Sequence, residues 1–195
     1  TEAQAEALSK KTAAKVFVTM RYSAPFAAET AAKVKEYAPD KIVLLPLYPH
    51  FSTTTSASSY YDWCIAAKAV GLNIPTTLVA AYPVQNGLID YWADEINLAL
   101  KDLHNPLVVF SAHGLPEKIV KNGDPYPQQV EETVAAIKAK LPESTSTILA
   151  YQSRLGPVKW IGPELKAVIK NYADRPLIVA PIAFVSEHIE TLAEL

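Results

Sequence analysis

Short apolar runs alternate with helical patterns over almost the whole chain, and this alternation constrains the fold more than any other feature. The runs typical of β-strands are Lys15–Met20, Lys41–Leu47, Thr76–Tyr82, Leu107–Ala112, Thr145–Gln152 and Leu177–Phe184. The segments with helical periodicity between them are Pro25–Tyr37, Ser58–Val70, Asn86–Leu103, Gln128–Lys140 and Pro163–Tyr172. This order predicts an α/β fold with parallel sheets flanked by helices.

The six predicted strands can form one sheet or two. The longest helical connection, Asn86–Leu103, is the expected crossing point between two units. We therefore expect a partial N-terminal domain over residues 1–84 and a C-terminal domain over residues 85–195. Because a helical stretch follows Thr1 at once and the chain stops within the helical pattern of Ser186–Leu195, we expect a fragment that lacks both termini.

Composition excludes several classes of protein. Half of the 195 residues are apolar, and 18 basic residues nearly balance 20 acidic ones without forming a basic stripe, so we expect no nucleic-acid partner. The single cysteine, Cys64, excludes a disulfide framework and a cysteine-built metal cluster within these residues, and it favours a reducing compartment. No apolar run approaches the roughly 18 residues of a membrane helix, and no signal peptide is visible.

His113 ends the most apolar predicted strand. Gly114 and Pro116 force a turn directly after it, so the imidazole should lie at the carboxyl end of a buried parallel strand. Open α/β sheets bind ligands at this edge, and imidazole suits proton transfer or metal ligation near neutral pH. A structural histidine that bonds a backbone carbonyl explains the position equally well.

An acidic stripe follows the last predicted strand. Ser186 is placed as a helix N-cap, and Glu187, Glu190 and Glu194 then share one helix face at positions i, i+3 and i+7. A solvated acidic face is the simpler interpretation. Because the stripe begins where a buried strand ends, a metal ion or shared protons fit the pattern as well.

Three further segments carry residues that suit ligand binding at strand ends. The hydroxyl-rich loop at Ser52 and Thr53 can bind an anion or can simply cap the next helix. Arg21 and Arg154 can each clamp a carboxylate or form surface ion pairs, and Trp160 can stack on a planar ligand or belong to the core.

Taken together, these segments resemble the ferrochelatase family, whose members insert ferrous iron into protoporphyrin IX. The signature-like segment is VVFSAHGLPEKIVKNGDPY at Val108–Tyr126. The resemblance recurs, in the family's order, at Arg21-Tyr22, PLYPHFSTTT (Pro46–Thr55), QSRLGPVKWIGP (Gln152–Pro163) and PIAFVSEHIETL (Pro181–Leu192).

The resemblance implies two Rossmann-like domains of the chelatase type with the porphyrin in a cleft between them. It further implies catalytic roles for His113, Glu190 and His188, and metal contacts for His113, Glu190 and Glu194. Porphyrin-binding residues are then Arg21, Tyr22, Ser52, Thr53, Arg154 and Trp160.

The chain departs from the family pattern at three positions. His50 stands where the family often has glutamine, Ala57 replaces a glycine, and Ala193 stands where an aromatic residue is common. The family's N-terminal glycine loop is absent. The C-terminal cysteines that hold an iron–sulfur cluster in some members fall outside this sequence, so the cluster cannot be assessed.

The resulting hypothesis is a chelatase reaction that needs no resident cofactor in this chain, with Fe²⁺ and protoporphyrin IX as substrates. Neutral His113 would accept pyrrole protons, while Glu190, with Glu187 and Glu194 behind it, would carry metal in or protons out. The alternatives are a chelatase for another metal or tetrapyrrole, such as cobalt with sirohydrochlorin, and an inactive tetrapyrrole-binding fragment. We expect a cytoplasmic protein. Peripheral association with the inner membrane and the oligomeric state stay open.

Overall fold

The computed structural model describes residues 1–154 and 156–185, which fall into two units. The first unit contains Thr1–Pro46 and Thr53–Ala80, and the second contains Leu47–Ser52 and Ala81–Leu195. The chain thus passes between the units at Ala80–Ala81, four residues before the predicted boundary at residue 84. The six-residue segment Leu47–Ser52 belongs to the second unit, although its sequence neighbours on both sides belong to the first.

The first unit is built around a small parallel sheet. Its elements are α1 (Glu2–Thr12), α2 (Ala27–Tyr37), β1 (Ile42–Leu44), α3 (Ser56–Ala69) and β2 (Thr76–Leu78). Strands β1 and β2 pair in parallel, with Ile42 opposite Thr76. Helices α2 and α3 supply the buried side chains Ala31, Val34 and Trp63, which form one apolar cluster with Ile42.

The predicted strand Lys15–Met20 is wrong, because this segment forms no strand. Within the described part of the chain, the segment makes one isolated bridge, between Met20 and Phe26, and Thr30 Oγ1 donates a hydrogen bond to the Val18 carbonyl. A strand needs a neighbouring strand for its backbone groups. Among the described residues, β1 pairs with β2 alone, so the segment has no ladder to join.

The second unit contains a three-stranded parallel sheet with β3 in the centre. Its elements are α4 (Asn86–Leu100), β3 (Leu107–His113), α5 (Glu117–Lys121), α6 (Tyr126–Lys138), β4 (Ser146–Gln152), α7 (Leu165–Asn171) and β5 (Leu177–Ala180). The strand order in the described residues is β4-β3-β5, with both pairs parallel. Parallel sheets flanked by helices are therefore confirmed as the fold class.

Strand β3 is apolar because helices cover both of its faces. Val108, Phe110 and Ala112 point into a large cluster that includes Val130 and Ile137 of α6. Leu107 and Val109 point into a second cluster, which includes Leu165 and Val168 of α7. A strand buried on both faces reads as a continuous apolar run rather than an alternating one.

The observed elements are mostly shorter than the predicted ones at their ends. Strand β5 stops at Ala180, four residues before the predicted end, because Pro181 has no N–H to continue the ladder. Helix α5 was not predicted. No helix in the described part of the chain combines the length and apolar character needed to cross a membrane.

Candidate functional site

His113 lies at the carboxyl end of the central strand, as the sequence predicts. It is the last residue of β3, stands opposite Gln152 of β4, and is half-buried. The other residues of β3 are buried, so the imidazole of His113 is the side chain of this strand that solvent or a ligand can reach. A group in this position can exchange protons with a ligand while its backbone stays fixed by the sheet.

The His113 turn, residues 113–116, is held rigidly by a neighbouring segment. Gly114 N donates to the Gln152 carbonyl over 2.8 Å, and Ile161 N donates to the Leu115 carbonyl over 3.0 Å. Pro116 and Trp160 form an antiparallel bridge. The half-buried Trp160 ring therefore lies against the turn next to His113.

Gly114 is required at this turn by close contacts on two sides. A Cβ built on Gly114 would lie 2.9 Å from the Gln152 carbonyl oxygen and 3.3 Å from Cε3 of Trp160. The first contact is with backbone that the sheet holds in place, so it cannot move aside cheaply. We expect Gly114→Ala to lower the free energy of unfolding by about 1–3 kcal/mol, as overpacking does elsewhere. Urea unfolding of the full-length protein measures the change.

Gly87→Ala is the matched control for this substitution. A Cβ there would lie 3.1 Å from Gln85 Oε1, the end of a side chain that can shift by a few tenths of an ångström while it still accepts from Leu88 N. Because Gly87 lies inside helix α4, alanine should leave stability unchanged or raise it slightly. Equal losses for both substitutions would show that the Gly114 contacts are not the cause.

A buried polar pair lies in the sheet just before the turn. Ser111 Oγ donates to Gln152 Oε1 over 2.7 Å, and both residues are almost completely buried. Within the described residues, the Gln152 Nε2 atom has no hydrogen-bond partner. Sequence reasoning missed this pair, although a serine inside an apolar strand was a visible signal.

Hydrogen bonds from both backbone and side chains join the segment Leu47–Ser52 to the rest of the second unit, among them Tyr82 N to the Pro49 carbonyl over 2.8 Å. His50 Nε2 and Thr133 Oγ1 are 2.8 Å apart, Phe51 N donates to Gln129 Oε1 over 2.8 Å, and Ser52 Oγ donates to Asp124 Oδ2 over 2.9 Å. Both His50 and Ser52 are about 1% exposed. The Ser52 hydroxyl is thus engaged inside the protein, whereas Thr53 is exposed.

The hydrogen bonds of Thr133 fix the tautomer of His50. Thr133 Oγ1 carries one proton. The oxygen lies 2.6 Å from the Pro83 carbonyl and 3.2 Å from the Gln129 carbonyl, and because both carbonyls can only accept, the proton is donated to them. The hydroxyl must therefore accept from His50, so Nε2 carries the imidazole proton. Among the described residues, His50 Nδ1 has no hydrogen-bond partner.

Arg154 and Arg21 both contact neighbouring protein groups. Arg154 Nη2 donates to the Ile161 carbonyl over 2.9 Å, and its Nη1 lies 3.8 Å from Glu164 Oε2. This side chain therefore fastens the segment that carries Trp160.

In the first unit, Arg21 Nε donates to Ser58 Oγ over 3.2 Å, and Arg21 Nη1 lies 3.7 Å from Asp62 Oδ1. Its guanidinium lies 5.2 Å from the ring centre of Tyr22, which is 80% exposed.

The predicted residues His188, Glu190 and Glu194 lie outside the described residues. The chain reaches them from β5, and Ile182 and Phe184 are buried in the same cluster as Ala112 and Leu115. Within residues 1–154 and 156–185, no three histidine, cysteine or acidic side chains come together as a metal-binding group.

The comparisons with known proteins agree on one family. The family model described as ferrochelatase matches residues 1–195. A protein named ferrochelatase from Caulobacter vibrioides is 46% identical over 207 aligned residues, which cover the whole chain and 59% of that relative. A relative of the same name from Phenylobacterium zucineum is 46% identical over 100% of this chain and 60% of its own length. Another, from Rickettsia bellii, is 45% identical over 92% of this chain and 51% of its own length.

The chain thus spans about 59% of the length of the first curated relatives that it matches. The match has no gap in coverage along this chain, and it includes the turn that carries His113. The chain belongs to the ferrochelatase family.

Proposed function

We propose that the protein containing this chain is a metal chelatase of the lyase class that inserts ferrous iron into protoporphyrin IX to form protoheme. Family membership supports the reaction. The observation that supports a role for particular residues in this reaction is the half-buried imidazole of His113 at the carboxyl end of β3, beside the Trp160 ring. This pair offers a proton acceptor next to a flat aromatic surface.

His113 suits the proton-transfer part of the reaction. Metalation of a porphyrin removes two pyrrole protons, and a neutral imidazole accepts protons near neutral pH. The rigid turn holds the imidazole, so little motion is needed at the moment of transfer. Distortion of the macrocycle, which tilts the nitrogen lone pairs toward the metal, would use binding energy from the porphyrin.

We assign Glu190 and His188 to the path of the metal and protons, with Glu194 further along the same segment. Their residue types carry this assignment, because Fe²⁺ accepts both carboxylate and imidazole ligands. Replacing Glu190 with alanine should reduce insertion and change its dependence on iron concentration.

Porphyrin binding is assigned to Trp160, Arg21, Tyr22 and Thr53. Trp160 offers a ring face, Tyr22 is largely exposed, and Thr53 is an exposed residue. Ser52 and Arg154 were predicted as direct contacts as well. Ser52 is almost completely buried, so we assign it instead to holding its loop. Arg154, like Arg21, bonds within the protein from an exposed position and stays a proposed contact.

An insertion assay on the full-length protein tests the proposal. Under anaerobic conditions, Fe²⁺ with protoporphyrin IX should give protoheme at a higher kcat/KM than Co²⁺ with a sirohydrochlorin-type substrate. The reverse preference would instead identify a chelatase for another tetrapyrrole. Quenching of tryptophan fluorescence by porphyrin without metal insertion would indicate a binding protein.

The wider properties of the whole protein are proposals of the same kind. We propose two Rossmann-like domains, a cytoplasmic location, and protoporphyrin IX and Fe²⁺ as partners, with family membership as the support. Sedimentation of the full-length protein with and without vesicles measures both oligomeric state and peripheral membrane association.

A further inference from the structure

Strand β4 lies at the edge of the sheet in the second unit, and most of its outer side is open. In the described part of the chain, it pairs with β3 on one side alone. The outer side is covered at one end, where Tyr151 N donates to the Pro163 carbonyl over 2.9 Å. From Ser146 to Ala150, the described residues provide no such cover.

The backbone groups at this open edge belong to Thr147 and Leu149. Alternate residues of a strand direct their N–H and C=O groups to opposite sides. The Gln152 carbonyl accepts from Gly114 N on the β3 side, whereas Tyr151 N donates to the outer side. Thr147 and Leu149 alternate in phase with Tyr151, so their backbone groups face outward, where no described residue bonds them. Such a row of unpaired groups is a template for another strand.

The sequence of β4 offers none of the usual protection against pairing at an edge. Proteins commonly protect an exposed edge with a charged residue, a proline or a bulge. The seven residues of β4, STILAYQ, include no charged residue and no proline. The register with β3 is continuous from Ser146 to Gln152, so no bulge bends the strand away. We therefore expect this edge to be paired in the whole protein.

Helix α6 flanks the open edge and supplies one charge of each sign. Glu131, Val134 and Lys138 of α6 line a groove together with Ile148 and Leu149 of β4. Glu131 and Lys138 are exposed, and within the described residues neither forms an ion pair. Seven positions separate them, which is about 10 Å along the helix.

The two charges lie toward opposite ends of the edge. Helix α6 connects the parallel strands β3 and β4, so it runs antiparallel to both. Glu131 therefore lies toward the carboxyl end of β4, and Lys138 lies toward its amino end. A second copy rotated by a half-turn about the middle of the edge brings its lysine opposite this glutamate. The groove is thus complementary in charge to itself, as a two-fold interface requires.

We propose that the β4 edge and the groove beside it form the interface of a two-fold symmetric homodimer, in which β4 pairs antiparallel with β4 of a second copy. A two-fold axis at Ile148 pairs Thr147 of each copy with Leu149 of the other, and these are the residues whose backbone groups face outward. Glu131 of each copy then faces Lys138 of the other. The inference does not depend on the proposed reaction.

Sedimentation velocity of the full-length protein from about 1 to about 200 µM tests the proposal, because a small interface of this kind associates in the micromolar range. The unsubstituted protein should show a monomer–dimer equilibrium. Glu131→Lys or Lys138→Glu alone should raise the Kd of the dimer about tenfold, since each change brings like charges together at two symmetry-related places. Both substitutions in one chain exchange the charges, so they should restore the dimer.

Glu132→Lys is the matched control for charge. Glu132 is an exposed neighbour on α6 that does not line the groove, so this change should leave the Kd as it is. Thr147→Pro tests the strand, because proline removes an N–H that the described monomer does not use, and edge strands tolerate proline. We expect it to weaken the dimer about tenfold or more, since two hydrogen bonds are lost per dimer.

Recovery of the dimer in the double charge variant, together with its loss in Thr147→Pro, would confirm the interface. A protein that stays monomeric over the whole range would overturn the proposal and would indicate that another segment or another protein covers the edge. A dimer of unchanged strength in all of these variants would also overturn it, because the copies then associate through a different surface. Equal weakening by Glu132→Lys, or no recovery in the double variant, would contradict the facing of Glu131 and Lys138. Iron insertion is assayed separately, and its absence would count against the proposed function alone.

Discussion

Replacing His113 with alanine is expected to lower the rate of iron insertion by about 10²–10⁴-fold, the range that a positioned general base contributes. The imidazole lies at the end of β3 on a turn fixed by hydrogen bonds to Gln152 and Ile161. Removal of its ring leaves those backbone contacts in place. Porphyrin should therefore still bind. Quenching of tryptophan fluorescence by porphyrin measures binding, and an iron-insertion assay measures the chemical step separately.

His104→Ala is the control for the His113 substitution. His104 is an exposed histidine of the same unit that precedes β3, so its removal should leave insertion unchanged. Turnover by His113→Ala within a few-fold of the unsubstituted protein would exclude His113 as the proton acceptor. Loss of porphyrin binding in that variant would assign the residue to the binding step.

The sequence contains enough information to predict the centre of the fold. Leu107–Phe110 is a continuous apolar run, as expected of a strand covered on both faces, so β3 can be predicted from hydrophobicity. Gly114 and Pro116 end the run, which locates His113 at the strand end. These conclusions depend on local pattern alone.

Segments whose structure depends on distant partners were harder to predict. Lys15–Met20 has the apolar content of a strand but no ladder partner in the described residues, so it forms no strand. Leu47–Ser52 reads as part of the first unit, yet its hydrogen bonds to Gln129, Thr133 and Asp124 attach it to the second. Those partners lie more than 70 positions away in the sequence, and hydrophobic periodicity gives no information about contacts at that separation.

The candidate site shows the same division between local and distant information. His113 and Trp160 were recognised from motifs, while the burial of Ser52 and Tyr126 emerged from packing. A serine in a hydroxyl-rich loop looks like an anion ligand until its donor is seen to reach Asp124. Residue type suggests a role, but the partner decides it.

The stability of the protein should fall by about 3 kcal/mol between pH 6.5 and pH 4 through His50 alone. Burial lowers the pKa of His50 from 6.5 to about 4. The unfolded chain therefore binds a proton at this residue below pH 6.5, whereas the folded chain does so only below about pH 4. Since each pKa unit corresponds to about 1.4 kcal/mol, the stabilisation is complete above pH 6.5 and is lost as the pH falls through this window.

The neighbours of His50 give the physical reason why protonation is resisted. Its Nε2 proton is already donated to Thr133, so a second proton would have to bind Nδ1, which has no acceptor among the described residues. The cation would then be buried without compensation. His50→Gln removes this titration and can still donate from its amide to Thr133.

Urea unfolding of the full-length protein at several pH values between 4 and 7.5 measures the effect. The difference in free energy of unfolding between the unsubstituted protein and the variant separates the contribution of His50 from that of the titrating carboxylates. His50→Gln should flatten the pH dependence, and His104→Gln, at an exposed position, should leave it intact. Equal slopes for the unsubstituted protein and His50→Gln would mean that the imidazole is protonated equally in both states. The same result would show that Nδ1 has an acceptor in solution, because such a partner is what would let the buried ring keep its ordinary pKa.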